Sequence, residues 1–224
     1  INKRSGDRLY AASDMHLATA VASAAALAIH NARMAQALVE QERVRKELEL
    51  ARQIQESLLP APAPPSFPVH GINFPAREVS GDFFDFREVG DRIYFSLADV
   101  SGKGMNAALL MAKTTSLLRC LAKSETDPAS LLKQVNAEIC ETASMGMFVT
   151  IVVGYVYPEE NKVEFTNAGH QPPVFWSKRQ DAKEKYREIL ATAPPIGILP
   201  DIAFENTSVS LDDGSLYIFT DGVS

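Results

Sequence analysis

Two apolar, aromatic-rich segments, Ser80–Val89 and Arg92–Val100, are separated only by Gly90 and Asp91. A glycine-first pair between two strand-like runs predicts a two-residue hairpin turn. Such a turn sets the register: 89 opposes 92 and, counting outward, Asp82 opposes Asp99. Directly opposed residues have Cβ atoms about 4.5–5.5 Å apart. Two carboxylates at that separation repel unless a proton or a cation lies between them. A hard divalent cation, which prefers carboxylate oxygens, is the natural occupant. The same residues admit a plainer reading, two solvated rim carboxylates on a slipped register, because one β-bulge turns a side chain to the other face. Asp85 falls on the face opposite to Asp82. A third aspartate, Asp221, ends the apolar run Tyr217-Ile218-Phe219-Thr220 and is followed by glycine. It suits a sheet rim, and it also suits an ordinary Asp-Gly turn.

Composition limits the alternatives. The 224 residues suffice for one sizeable domain plus an accessory segment, and 46% apolar content argues against wholesale disorder. A net charge of −6 without a long basic block excludes a general nucleic-acid or acidic-membrane surface. Cys120 and Cys140 lie in apolar, helix-like segments, show no metal or redox spacing and read as buried free thiols of a reducing, cytoplasmic environment. The Ala-rich run Thr19–Ile29 is too short to span a bilayer, so no direct membrane segment is expected. The chain shows neither a start methionine nor a leader and reads as a piece of a longer one.

The middle of the chain carries a heptad pattern. Met34, Ala37, Gln41, Val44, Leu48, Ala51, Gln55 and Leu58 alternate at spacings of three and four, flanked by Glu40, Glu42, Arg43, Arg45, Lys46 and Glu47. This predicts a signalling helix over 34–59 that forms a homodimeric coiled coil through 34–58; a single amphipathic helix packed on its own domain is the alternative. Pro60 to Pro68 predicts helix termination and a stiff linker. Beyond it, strands are expected at Asn73–Val79, in the hairpin, at Met147–Tyr155, Lys162–Ala168, Val174–Ser177, Ala203–Leu211 and Ser215–Thr220. Helices are expected from Gly104 to about Lys123 and from Asp127-Pro128 to about Thr142. Strands, two helices and more strands argue for an α+β fold.

The motifs Arg77-Glu78-Val79-Ser80-Gly81-Asp82-Phe83-Phe84-Asp85, Ala98-Asp99-Val100-Ser101-Gly102-Lys103-Gly104, Ala107–Ala112, Phe148-Val149-Thr150, Asn167-Ala168-Gly169-His170-Gln171-Pro172-Pro173 and Tyr217–Val223 follow one another in order, with Ala51–Pro60 upstream. In that order they resemble the SpoIIE/RsbU branch of the metal-dependent, type 2C-like (PPM) Ser/Thr phosphatases, from about Leu48 to the end. The resemblance implies a β-sandwich of two antiparallel sheets flanked by helices, with a long N-terminal helix or coiled coil. It implies a two-metal Mn²⁺ or Mg²⁺ site with ligands Asp82, Asp99, Asp221 and the Val100 carbonyl, and a phosphate-binding role for Arg77. Its usual substrate is a phosphoserine or phosphothreonine on a STAS-domain anti-anti-sigma protein. Ile1 to about Arg33 resembles the end of a GAF sensory domain, which gives a division into 1–33, a helix 34–59, a linker 60–68 and a phosphatase domain 69–224. That domain is expected to be C-terminally incomplete and to bind metal weakly as it stands. The sequence departs from the family at Ser80, where glycine is common, and lacks the further acidic ligand that family members carry later. A general acid is not assigned: His170 is read as a packing or capping residue of its turn, with an acid role as the alternative. A pseudophosphatase scaffold and, more remotely, a diguanylate cyclase suggested by Ser80–Phe84 are the competing readings.

Overall fold

The structure, a computed structural model, describes residues 11–73, 81–102, 104–142, 146–179, 185–212 and 214–221. The chain divides into two compact units, Ile1–Glu47 and Leu48–Ser224.

In the first unit the described residues belong to helix α1 (Ala12–Leu58), 47 residues without glycine or proline and rich in alanine, the strongest helix former. The boundary expected near Arg33 is therefore not a break in the backbone: the helix passes through it. The strand expected at residues 2–7 lies outside the described residues. Salt bridges one turn apart, Arg43 to Glu40 at 2.7 Å and Arg45 to Glu42 at 3.1 Å, lie on the solvent surface, where water and salt screen them. Apolar Met34, Leu38 and Val44 are exposed. An 18-residue stretch of α1 has a mean hydropathy of 1.3 and is, by length and composition alone, apolar enough to cross a membrane. The expectation of no membrane segment considered only the shorter Ala-rich run.

In the second unit α1 ends at Leu58, and Ala51 and Gln55 are buried. The C-terminal part of the expected heptad seam is thus packed within its own unit, which corrects a dimer contact running the whole way from 34 to 58. The proline-rich segment that follows is neither helix nor strand, yet its Phe67 ring packs on Phe86 with centroids 5.7 Å apart. It is therefore anchored to the unit, and is not a free spacer.

Strands β1 (Phe83–Val89) and β2 (Arg92–Val100) form the expected hairpin, paired Val89 to Arg92 through Phe83 to Ala98. Gly90 takes a φ of 66°, the left-handed conformation that a turn of this kind requires and glycine supplies without strain. Helices α2 (Met105–Leu121) and α3 (Pro128–Thr142) follow. Their cysteines are not buried as expected: Cys120 is exposed and Cys140 half-buried, each on a helix whose other side faces the sheet. Asp127 caps α3, its Oδ2 accepting from the Ser130 N–H at 2.8 Å. Then come β3 (Val149–Tyr157), β4 (Lys162–Ala168), β5 (Val174–Ser177), β6 (Tyr186–Glu188), β7 (Thr207–Ser210) and β8 (Gly214–Tyr217). The last two are shorter than their apolar runs suggest, and the exposed β6 was not expected. The strand expected at 73–79 falls, beyond Asn73, outside the described residues.

Among the described residues the strands pair antiparallel, in a five-stranded sheet ordered β1-β2-β3-β4-β7 and a three-stranded sheet ordered β6-β5-β8. Alternation along the strands gives the larger sheet two apolar faces. Tyr94, Ala98, Val100, Ile151 and Val153 pack with Met111 and Leu118 of α2 and with Leu131, Leu132 and Val135 of α3. Ile93, Phe95, Val152 and Phe165 face the other way, toward Phe175 and Leu216 of the smaller sheet. The result is the expected α+β sandwich, with helices outside the larger sheet and an apolar core between the two sheets.

Candidate metal centre

The hairpin carries its two aspartates to the rim of the larger sheet, at the end of the β1–β2 ladder. The Phe83–Ala98 rung is followed by Asp82 opposite Asp99, and the ladder continues, the Val100 N–H donating to the Gly81 carbonyl at 3.3 Å. Asp82 and Asp99 lie on the face turned toward the smaller sheet, and Asp85 lies on the helix face. Gly81 makes the approach feasible. A Cβ there would stand 2.7 Å from the Val100 carbonyl oxygen and 2.9 Å from Asp99 Oδ1. Both are closer than a carbon can sit, so no other residue fits without moving the rim.

The electrostatics record the crowding. The Asp99 carboxyl is pushed up to about 6, first by burial, then by the charge of Asp82, by a hydrogen bond with Asp82 and by the charge of Asp221; the Val100 backbone pulls the other way. Two carboxylates held face to face want a shared proton or a cation. The donor set here, two carboxylates with the Val100 carbonyl beside them, is all oxygen and suits a hard divalent ion. The residues present therefore fit the metal implied by the resemblance.

Asp221 stands at the same rim. The Thr220 hydroxyl donates to Asp82 Oδ2 at 3.1 Å, which places Asp221 one residue from that contact. Asp221 is exposed, and its charge acts on both Asp99 and His170. Among the described residues no three His, Cys, Asp or Glu side chains close into a ready-made cage. Asp82 and Asp99 are brought together, then, and Asp221 flanks them. Arg77 lies outside the described residues. The Ser101 hydroxyl accepts from the Phe148 N–H at 2.8 Å and closes the turn after Asp99.

His170 is only 5% exposed, with Nδ1 2.9 Å from Thr150 Oγ1 and Nε2 3.2 Å from the Phe219 carbonyl. Burial lowers its proton affinity, against the raising influence of the Phe219 carbonyl and the nearby aspartates. The ring is buried and both of its nitrogens are engaged within the protein.

Several contacts of the site were not anticipated. The Gln55 side chain of α1 donates to the backbone carbonyl of Asp82 at 3.3 Å. Arg119 of α2 donates through Nη2 to the Leu58 carbonyl at 2.5 Å and through Nε to Asp85 Oδ2 at 2.8 Å, and Arg87 donates to the same oxygen at 2.9 Å. Gln55 stood out in the sequence only as a polar residue on an apolar seam. The partners of Asp85 had no local signal.

The family described as Stage II sporulation protein E (SpoIIE) matches residues 89–224. Phosphoserine phosphatase RsbU of Bacillus subtilis (strain 168) is 26% identical over 187 residues, spanning 82% of this chain and 55% of RsbU, so the chain covers about half the length of that relative. The crystal structure of the RsbU and RsbW domains of Rv1364c from Mycobacterium tuberculosis superposes with a TM-score of 0.57 at 26% identity, over 66% of this chain and 40% of that one. The SiaA-PP2C domain of Pseudomonas aeruginosa superposes with a TM-score of 0.58 at 20% identity, over 77% of this chain and 69% of that one. The sandwich, the rim aspartates in their order and a family match over more than half of the residues agree: the chain belongs to the SpoIIE family of PP2C-like phosphatase domains.

Proposed function

We propose that this chain is the catalytic part of a Mn²⁺- or Mg²⁺-dependent phosphoprotein Ser/Thr phosphatase of bacterial signalling. The observation that carries the reading is the opposition of Asp82 and Asp99 across one rung, with the Asp99 carboxyl held well above its ordinary range. Asp82, Asp99 and the Val100 carbonyl hold the cation, with Asp221 completing the rim. Bound there, the metal supplies neutralisation of phosphoryl oxygens and acidification of water, the needs of phosphate-ester hydrolysis. Thr220 orients Asp82 through its hydroxyl, and Gly81 keeps the rim open enough for both carboxylates to point inward. Arg77, five residues before Asp82, takes a phosphate oxygen pair, for which a guanidinium is suited. The substrate is a phosphorylated signalling protein of the STAS anti-anti-sigma type, met in the cytoplasm. That choice draws on the likeness to RsbU, a phosphoserine phosphatase.

Control comes through α1. Gln55 donates to the backbone carbonyl of Asp82, so a shift of the helix end displaces a metal ligand directly, while Arg119 anchors the Leu58 carbonyl to Asp85 on the opposite face of β1. An upstream sensory domain of GAF type drives that shift, and a parallel homodimer forms through the exposed 34–44 part of the seam. The deciding experiment is phosphate release from a phosphoserine-bearing STAS-domain protein by the full-length enzyme. Release is expected with Mn²⁺ and none with EDTA. Release that persists unchanged in EDTA, or no release with either Mn²⁺ or Mg²⁺, rejects the reading.

A further inference from the structure

His170 bridges two parts of the site that come from distant stretches of the chain. Its Nε2 faces the Phe219 carbonyl, which can only accept, so Nε2 carries the ring proton. In the neutral ring Nδ1 is then an acceptor, and the Thr150 hydroxyl donates to it. Thr150 is the ladder partner of Asp99 on β3. Phe219 precedes Thr220, whose hydroxyl donates to Asp82, and Asp221 comes next. One imidazole therefore links the rung that bears Asp99 to the segment that bears Asp221. Its own seat is fixed: the His170 N–H donates to Asn167 Oδ1 at 2.9 Å, and Asn167 Nδ2 donates back to the His170 carbonyl at 3.2 Å. A ring used only to fill space would have no need of a donor on one edge and an acceptor on the other.

We propose that His170 is a positioning residue that pins the Phe219–Asp221 segment to the Asp99–Thr150 rung, holding the Asp221 carboxylate over the Asp82–Asp99 pair where the divalent cation binds. The inference rests on the metal reading above and adds a residue that touches neither substrate nor metal. The bond to the Phe219 carbonyl does the pinning, and the Thr150 hydroxyl keeps the ring in the tautomer that makes it.

The two nitrogens can be separated by substitution. A glutamine amide reaches about as far as Nε2 and can donate to the Phe219 carbonyl; an asparagine amide reaches only the Nδ1 position. Mn²⁺ affinity of the full-length protein is read by electron paramagnetic resonance of free Mn²⁺, and thermal stability is read separately in EDTA. His170→Ala and His170→Asn are expected to weaken Mn²⁺ binding about 10–100-fold, as loss of an outer-shell partner does, and His170→Gln to stay within about threefold of wild type. The EDTA melting points of the Asn and Gln variants are expected to match. Should the His170 variants fail to fold, Thr150→Val removes only the hydroxyl that feeds Nδ1 and is expected to weaken Mn²⁺ binding about tenfold. Wild-type affinity in the Ala and Asn variants, or in the folded Thr150→Val variant, overturns the proposal, as does a loss that simply follows the EDTA melting points. A folded wild-type protein that binds no Mn²⁺ overturns the metal reading itself, and this inference with it. Intact Mn²⁺ binding and turnover in both wild type and His170 variants overturns the positioning role alone.

Discussion

Asp82 and Asp85 stand three residues apart on one arm of the hairpin and meet opposite surroundings. Asp85, 2% exposed, has Arg119 on both of its oxygens, Arg87 on one, and helix α2 above it. Asp82 faces another carboxylate across the ladder and a third acid along the rim. The residue type is the same and the backbone is the same; the parity of the strand decides. On the helix face the protein supplies its own countercharge, and the aspartate contributes to folding. On the face turned toward the smaller sheet it supplies more negative charge. Two roles are thereby kept on separate faces, and perturbing one face should leave the other largely intact.

The largest effect should come from Asp99→Asn. It removes one of the two opposed charges, and turnover with Mn²⁺ is expected to fall more than about a thousandfold, the scale of losing a group that stabilises developing charge. In EDTA the same variant should be at least as stable as wild type near neutral pH, because a repulsion has gone. Retained turnover at saturating Mn²⁺ would break the division of faces at its first test.

Arg119→Ala should do the reverse. Removing a partner from a buried ion pair costs about 3 kcal/mol, here softened by the remaining Arg87, and a fall in the urea midpoint measures it. Mn²⁺ affinity should change far less than stability. A loss below about 1 kcal/mol would mean that Arg87 alone neutralises Asp85.

A smaller effect is expected from pH. Folded, metal-free protein keeps the Asp99 proton up to about pH 6, and the unfolded chain releases it near the ordinary carboxyl value of about 3.9. The folded state therefore binds more protons inside that window, and the contribution of Asp99 to stability is lost as pH rises through it. Urea titrations in EDTA between about pH 4 and 6 should show this slope in wild type and not in Asp99→Asn. An identical slope in the two proteins would mean that the repulsion is not held in the fold.

The smallest effect on either face should follow Val44→Glu, in the exposed part of α1. Sedimentation should show a dimer in wild type and a monomer in the variant, with the urea midpoint of the phosphatase domain unmoved. A wild-type monomer at micromolar concentration would remove the dimer from the account.

Much of this was legible in the sequence because it is local. A two-residue turn and alternating apolar residues determine which hairpin residues meet, so the opposition of Asp82 and Asp99 and the opposite facing of Asp85 follow from counting. The cap of α3 follows from Asp127-Pro128 in the same way. What escaped depends on chain separation. The Arg119 to Asp85 pair joins residues 34 apart, and His170 reaches a carbonyl 49 residues away. No periodicity encodes such meetings, since they depend on how finished elements stack. The heptad pattern misled for a related reason: an apolar stripe shows that a helix face is covered and leaves open whether a partner chain or its own unit covers it, and at Ala51 and Gln55 its own unit does.

Gly81 bears on which changes this site can survive over evolutionary time. At 81 even a single methyl group would press on the Val100 carbonyl and on Asp99 together, with backbone on one side and a charged group on the other. Most changes that silence an enzyme of this kind must delete a carboxylate and leave an obvious gap in the sequence. Alanine at 81 would disarm the rim with all three aspartates still in place. A relative whose acidic motif reads as intact can therefore be inactive, and the small residue before the first aspartate is where such a lineage would show it.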